Sequence, residues 1–383
     1  MKTSIYSSMA CNLDTYLLQT ALPLLHAEKV EAIEWAFDSL YKHRNIPDWF
    51  LELLKTFGEQ GRLIGHGVYF SLFKGTWTQE QADWLKQLRK VVQHFKFDHI
   101  SEHFGFMTGE DFHKGAPLHI PLNKSTLAIG KDRLSRIQDA CQLPVGLENL
   151  AFAYCLDDVQ AQGNFLNQLL KEINGFLILD IHNLYCQMHN FNLAADQIIA
   201  AYDLNRVREI HISGGSWSAN PIESNQQIRR DTHDDAVPNL VFSLLAAIIP
   251  QCPNLKFVVL EQLGNGLQTA ASQNQFHADF SKMGEIVKRA NHTPTINEVN
   301  AFLPIQNILN KVICEDPVLQ SQQNILSSIL EEASDYRDAA TKLNSSILSN
   351  TDWKVEEWSP AMLGTALEIA QKWKAGFWGN PKS

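Results

Sequence analysis

Eight short, nearly all-apolar runs, separated by longer amphipathic stretches, fill the chain from its start to about residue 290, and few folds accept that alternation. The runs predicted as strands are Ser4–Met9, Val30–Ala36, Arg62–Tyr69, Phe97–His103, Pro144–Glu148, Phe176–Ile181, Val207–Ile212 and Phe257–Glu261. Segments such as FLILDI and FVVLEQ are apolar on both faces, as a strand covered on both sides requires. Between them, Trp77–Gln93, Lys131–Cys141, Gln160–Ile173, Leu193–Tyr202 and Pro238–Ile249 read as helices. Eight strands alternating with helices predict a closed, parallel TIM-type α/β barrel over residues 1–292. A length of 383 residues suits one such barrel plus an extension better than several small domains.

After a last barrel helix near His277–Arg289 the pattern changes. Thr295–Ile296–Asn297–Glu298 reads as a capping box ahead of an apolar run. Asp316–Pro317 reads as a cap opening a long helical stretch to about Leu348, and Ser359–Pro360 opens a last helix ending near Gly376. Residues 293–383 are thus expected to form a strand-free helical extension, either a docked bundle or a partner-binding appendage.

Composition narrows the chemistry. The net charge is −10 and no dense Lys/Arg block occurs, which argues against a nucleic-acid footprint. The six cysteines (Cys11, Cys141, Cys155, Cys186, Cys252, Cys314) form no CxxC pair, so zinc fingers, iron–sulfur clusters and a disulfide scaffold are unsupported. No apolar run reaches membrane-spanning length and MKTSIYSSMACNL lacks the core of a signal peptide; a reducing cytoplasm is the expected compartment.

Polar residues at the C-terminal ends of barrel strands converge on one mouth. Here those ends hold His66 in GHGVYFSL, His99, Glu102 and His103 in HISEHFGF, and Glu148 and Asn149 in GLENL. Next come Asp180, His182 and Asn183 in LDIHNLY, Glu209 and His211 in EIHISGG, Asp231, His233 and Asp234 in RRDTHDD, and Glu261 in LEQLG. Charged groups sit on apolar strands only when something offsets their desolvation, and clustered carboxylates repel one another without cations. Neutral imidazoles with carboxylates are a ligand set for Zn, Fe and Mn. If the strand stays regular, Asp180 and His182 face the same way; Asp231 and His233 share one side of an extended loop.

The ordered motifs HGV, SEHFGF, LEN, DIHNLY, IHISG, DTHD and LEQ, with the segment APLHIPLNKSTL, resemble the multinuclear non-heme iron-dependent oxidases of domain-of-unknown-function family 692. That family belongs to the xylose-isomerase-like barrels, and the ordered ligand set also resembles the trinuclear layout of endonuclease IV. The resemblance covers roughly residues 60–265. It implies one iron on His66, His103 and bridging Glu148, and a second on Glu148, Asp180, His211 and Glu261. A third would use Asn183, Asp231 and His233. Glu148, Asp180, His211 and Glu261 would form the catalytic set. It further implies oxidation by dioxygen of a cysteine in a ribosomally made precursor peptide, commonly with a separate protein that presents the peptide. Asparagine at 183, where endonuclease IV has histidine, fits the oxidases. Strand two departs, since VEAIEWAFDSLY lacks the usual Glu-Asn-Tyr ending; Glu34 and Asp38 therefore receive no role, and neither does His182.

Each residue also has a plainer reading. His66 alone would pass for a hydrogen-bonded core histidine, His99 reads as structural, Glu209 as a supporting partner, and Asn149 and Asn183 could tie loop backbone. Asp234 and Asp235 read as solvated. The tryptophans at 77, 84, 353, 358, 373 and 378 suit core packing or docking of the C-terminal helices. Arg229–Arg230 could face an anion or be surface charge, and Gly214–Gly215 is only a turn signal. The alternatives to the oxidase are an isomerase or endonuclease IV-like phosphodiesterase that uses Zn, Mn or Mg as a Lewis acid, and a partner-binding protein with a structural metal. The acidic chain gives DNA no basic surface, and no lysine of the kind a sugar isomerase uses stands at a strand end.

Overall fold

Strand parity builds the barrel. The computed structural model describes residues 4–41, 46–109, 115–220, 222, 225–292, 299–306, 309 and 312–375. Its central strands are β1 (Tyr6–Ala10), β2 (Ala32–Trp35), β3 (Leu63–Gly67), β4 (Ile100–His103), β5 (Val145–Glu148), β6 (Phe176–Asp180), β7 (Val207–Ile212) and β8 (Phe257–Leu260). They close in the order β1-β8-β7-β6-β5-β4-β3-β2, and every neighbouring pair is parallel. Outward-facing residues such as Leu177, Leu179, Ile210 and Val258 join the main core beneath the helices. Inward-facing Ala32, Ile64, Phe257 and Val259 pack separately, as do Phe176 and Ile178. That is the layered filling expected of a small barrel. Gly146 belongs to it, because a Cβ there would stand 2.2 Å from the Phe176 ring.

Around the strands lie α1 (Thr15–His26), α2 (Asp48–Glu59), α3 (Gln79–His94), α4 (Lys124–Cys141), α5 (Leu156–Glu172), α6 (Ile181–Phe191), α7 (Ala195–Ile199), α8 (Asn239–Ile248) and α9 (Ala270–His292). Two expectations fail here. The sixth strand stops at Asp180, whose carboxylate caps a helix by accepting from the Asn183 N–H at 2.6 Å, so α6 begins directly after the strand. The helix expected over Leu193–Tyr202 shrinks to α7.

The C-terminal region holds α10 (Pro317–Glu332), α11 (Tyr336–Asn344) and α12 (Pro360–Lys374). The single long helix expected after Asp316 is broken at Ala333–Asp335, where Asp335 leaves helical backbone and caps α11 through the N–H groups of Arg337 and Asp338. Thr295–Glu298 and Trp378 lie outside the described residues. Residues 299–306, the described part of the apolar run that follows, are not helical. Instead Phe302 joins Phe176 and Ile178 as one apolar cluster, with its ring 5.9 Å from Phe176 at the N-terminal end of β6. The helices dock on the barrel rather than project from it. Gln323 receives the Gly75 N–H at 3.0 Å and donates to the Phe73 carbonyl at 2.8 Å, and Trp358 stacks on Tyr154 at 3.6 Å. Among the described residues no helix is long and apolar enough to cross a membrane.

Phe302 is fully buried, whereas its neighbour Leu303 is 66% exposed. Phe302→Ala is expected to cost about 3–5 kcal/mol of stability through the lost burial and the cavity left behind. Leu303→Ala should stay within about 0.5 kcal/mol. Chemical denaturation of the two variants checks the pair.

Candidate metal centre

At the C-terminal rim of the barrel three imidazoles surround one carboxylate. His66 Nε2 lies 3.2 Å and His103 Nε2 3.3 Å from Glu148 Oε2, and His211 Nδ1 lies 3.5 Å from Glu148 Oε1. His211 Nδ1 also stands 3.2 Å from Glu261 Oε2. The ligand atoms of Glu148, Asp180, His211 and Glu261 lie within 4.8 Å of one another, as do those of His66, Glu148 and His211. Glu148, Asp180, His66, His211 and Glu261 are all buried.

The far nitrogen of each imidazole is already committed. His103 Nδ1–H donates to the Gly67 carbonyl at 2.9 Å. His211 Nε2–H donates to Glu209 Oε1 at 3.0 Å, with Glu34 Oε2 at 3.1 Å from the same nitrogen. His66 Nδ1 meets Ser101 Oγ at 2.8 Å, and that hydroxyl donates to the Gly65 carbonyl, so the imidazole supplies the proton. These bonds fix which nitrogen of each ring keeps its proton in the neutral form and turn the other nitrogen toward Glu148, the arrangement in which histidines hold metals. Correspondingly, His66 Nε2, Glu148 Oε2, Asp180 Oδ2, Asn183 Oδ1, His211 Nδ1 and Glu261 Oε2 are buried without a hydrogen-bond partner. Buried polar atoms are ordinarily paired, so a group of them converging on one place fits missing cations.

Electrostatics says the same. Burial alone would raise the Glu148 carboxyl, but the imidazoles of His103, His211 and His66 outweigh it and hold it well below the usual range. Asp180 is pushed well above its usual range by burial and by the charges of Asp231, Glu148 and Glu261. Burial would lower His66, yet Glu34 and Glu148 lift it to about 9; His211 likewise rises despite burial, through Glu261 and Glu34. Without cations, protons take their places between the carboxylates.

The remaining expected residues lie alongside. Asn183, turned inward by the first turn of α6, donates to the Asn149 carbonyl at 2.8 Å and presents its Oδ1 to the cluster. His233 Nε2 stands 2.9 Å from Asp231 Oδ1 and 3.8 Å from Glu261 Oε2. His182 does not share a face with Asp180, because the strand has ended; its Nδ1–H donates to Asp231 Oδ1 at 2.9 Å while its Nε2 accepts from Arg229 at 3.2 Å. Gly215 lets this loop close, since a Cβ there would sit 2.1 Å from the Arg230 carbonyl. The pair Gly214–Gly215 thus serves close packing. Glu34, left without a role by the sequence, sits beside His211; its signal was a glutamate two residues beyond Ala32 on an apolar strand. Asp38 accepts from the Val68 and Tyr69 N–H groups and from Trp84 Nε1. His99 donates from Nε2 to Glu209 at 2.6 Å, the structural role expected of it.

Residues 25–275 match the model of the family described as RiPP precursor modification enzyme MbnB/TglH/ChrH. The chain belongs to that family. It is 27% identical over 183 residues to a UPF0276 protein of Caulobacter vibrioides (strain NA1000 / CB15N), a stretch covering 48% of this chain and 62% of that one. A UPF0276 protein of Acaryochloris marina is 28% identical over 218 residues, 56% of this chain and 74% of the relative. The chain therefore spans less than two thirds of the length of the Caulobacter relative. Among solved structures it is similar to a xylose isomerase domain containing protein from Salmonella typhimurium (13% identity, TM-score 0.45, covering 74% and 99% of the two chains). It is also similar to endonuclease IV from Thermus thermophilus (13% identity, TM-score 0.45, covering 73% and 98%).

Two measurements follow from this geometry. A His66 that holds a proton up to about 9 must give it up to coordinate, so loading divalent metal at neutral pH should release protons. Calorimetry in two buffers of different ionisation enthalpy checks this, and equal heats would contradict it. Glu209→Gln weakens the acceptor that orients His211 and should lower metal affinity about 10–100-fold, read by competition with a chelating dye.

Proposed function

We propose that this protein oxidises a cysteine side chain of a ribosomally made precursor peptide with dioxygen, using two or three iron ions. The ligands are His66, His103, Glu148, Asp180, Asn183, His211, Asp231, His233 and Glu261, with Glu148, Asp180, His211 and Glu261 nearest the chemistry. The observation that carries the reading is Glu148 ringed by three imidazoles whose outer nitrogens are tied down, in a chain of a precursor-modifying family. Nitrogen and oxygen donors without a thiolate suit iron, with zinc and manganese as competitors. When bound, the iron ions supply a redox centre at which thiolate and dioxygen meet and exchange electrons.

The protein's own contribution is positional. Glu148 stands between the His66–His103 pair and His211, so it would be the carboxylate common to the two sets of residues that would hold iron. Glu209 and Glu34 fix the His211 ring from behind, and Asn149 fixes Asn183. Asp231 accepts the His182 Nδ1–H, and His233 and His182 together keep its carboxylate ionised despite burial. Burial of Glu148, Asp180, His211 and Glu261 removes water that would otherwise compete for those donor atoms. The substrate cysteine is the reductant and dioxygen the oxidant. Delivery by a separate peptide-presenting protein and a cytoplasmic setting, consistent with six unpaired cysteines, complete the proposal.

Protein purified without oxygen should hold two or three equivalents of iron and consume dioxygen only when a cysteine peptide is added. His211→Ala and Glu261→Gln should each lower that rate at least about 100-fold. Zinc as the sole metal, with no oxygen uptake, would favour a hydrolytic or structural site.

A further inference from the structure

The metal floor opens into a cavity of about 650 Å³, within the range that takes a ligand of a few side chains. One of its walls comes from beyond residues 25–275, the stretch that defines the family. Along α12, Met362, Thr365, Ile369, Lys372 and Trp373 line the cavity, and their spacing keeps them on one stripe of the helix. Across from them stand Leu150, Phe152 and Leu263, from the loops that follow β5 and β8. The site therefore has a polar floor and largely apolar sides.

α12 is held in that position from both directions. The Ser359 N–H donates to the Tyr154 carbonyl at 2.9 Å, and Arg230, next to Asp231 at the floor, pairs with Glu368 at 2.6 Å. On its other side the Gln371 amide donates to the Leu330 and Ala333 carbonyls at 3.3 and 2.9 Å. A wall fixed at the mouth of a reaction centre meets whatever flanks the reacting group.

We propose that α12 selects the substrate: Met362, Ile369 and Trp373 receive an apolar residue of the peptide, beside the cysteine whose sulfur reaches the floor. The occupant rests on the peptide-oxidase reading above. An apolar side chain gains by leaving water against this wall, whereas an acidic one would give up its hydration against Met362 and Ile369, which offer it no hydrogen bond.

The test uses the full-length, iron-loaded protein, immobilised without oxygen and offered a synthetic library Ac-Xaa-Xaa-Cys-Xaa-Xaa-NH2. Retained peptides are read by mass spectrometry, and N-acetylcysteine, which is too small to reach the wall, is followed by its effect on the absorption spectrum. The wild-type protein should enrich apolar over acidic flanking residues about tenfold. Ile369→Asp should abolish that preference, and Ile369→Ala, which keeps the helix, should reduce it, both with unchanged iron content and unchanged response to N-acetylcysteine. An N-acetylcysteine response with no flank preference, or a preference that survives Ile369→Asp, overturns the role of α12 and leaves the oxidase reading intact. If the wild-type protein responds neither to N-acetylcysteine nor to any library peptide, the oxidase reading falls and takes this inference with it.

Discussion

Negative charge concentrated inside an apolar barrel is the constraint on which this structure turns. Glu34, Glu148, Asp180, Glu209 and Glu261 all lie buried on or just beyond the strands, and their mutual repulsion in a poorly polarisable interior would oppose folding if nothing stood between them. Imidazoles stand between them: His66, His103 and His211 separate Glu148 from Glu34 and Glu261. At Asp180 burial and the neighbouring Asp231, Glu148 and Glu261 outweigh His211, and the carboxyl is driven toward its neutral form. The same positions that hold protons in the bare protein can hold cations, so binding metal and relieving repulsion are one process.

A line of alternating basic and acidic side chains supports that rim from below. Arg208 Nη2 bonds Asp98 at 2.6 Å, Asp98 accepts from His99 Nδ1 at 2.9 Å, His99 Nε2 bonds Glu209 at 2.6 Å, and Glu209 receives the His211 proton at 3.0 Å. Burial alone would raise both Asp98 and Glu209, yet both are held well below their usual range, Asp98 by His99, Arg208 and Lys256, and Glu209 by His99 and His211. The ring of His211 is thus oriented by a chain of contacts running through the barrel from its base. A bonded network of this kind is worth having only if its members are satisfied, and at its upper end His211 Nδ1 is left without a hydrogen-bond partner, facing Glu148 and Glu261.

Much of this is legible in the sequence, for identifiable reasons. Alternating hydrophobic runs reveal the strands, and acidic or imidazole side chains on such runs betray the site because burial makes them costly. What stays hidden is set by events outside a local pattern. Nothing in LDIHNLY marks that Asp180 caps a helix, so strand parity puts His182 on the wrong face. The run after Thr295–Glu298 looks like a helix because it is apolar, but its apolarity serves Phe302, which packs on Phe176 at the base of β6. Glu34 escapes notice because its strand lacks the ending that would point to it.

The C-terminal helices are the least readable part, and the reason is instructive. An amphipathic helix buries its apolar stripe against something, but periodicity does not say against what. α12 divides its surface between two jobs: Gln371 faces α10, while Ile369 and Trp373 border a cavity whose floor is made of residues far away in the sequence. Only docking, through Trp358 on Tyr154 and Glu368 on Arg230, decides that the second face looks into the site. Because Arg230 adjoins Asp231, the contact that places the helix also braces the loop bearing two of the candidate ligands. Arg230 is thus shared between the docking of α12 and the loop that carries Asp231 and His233.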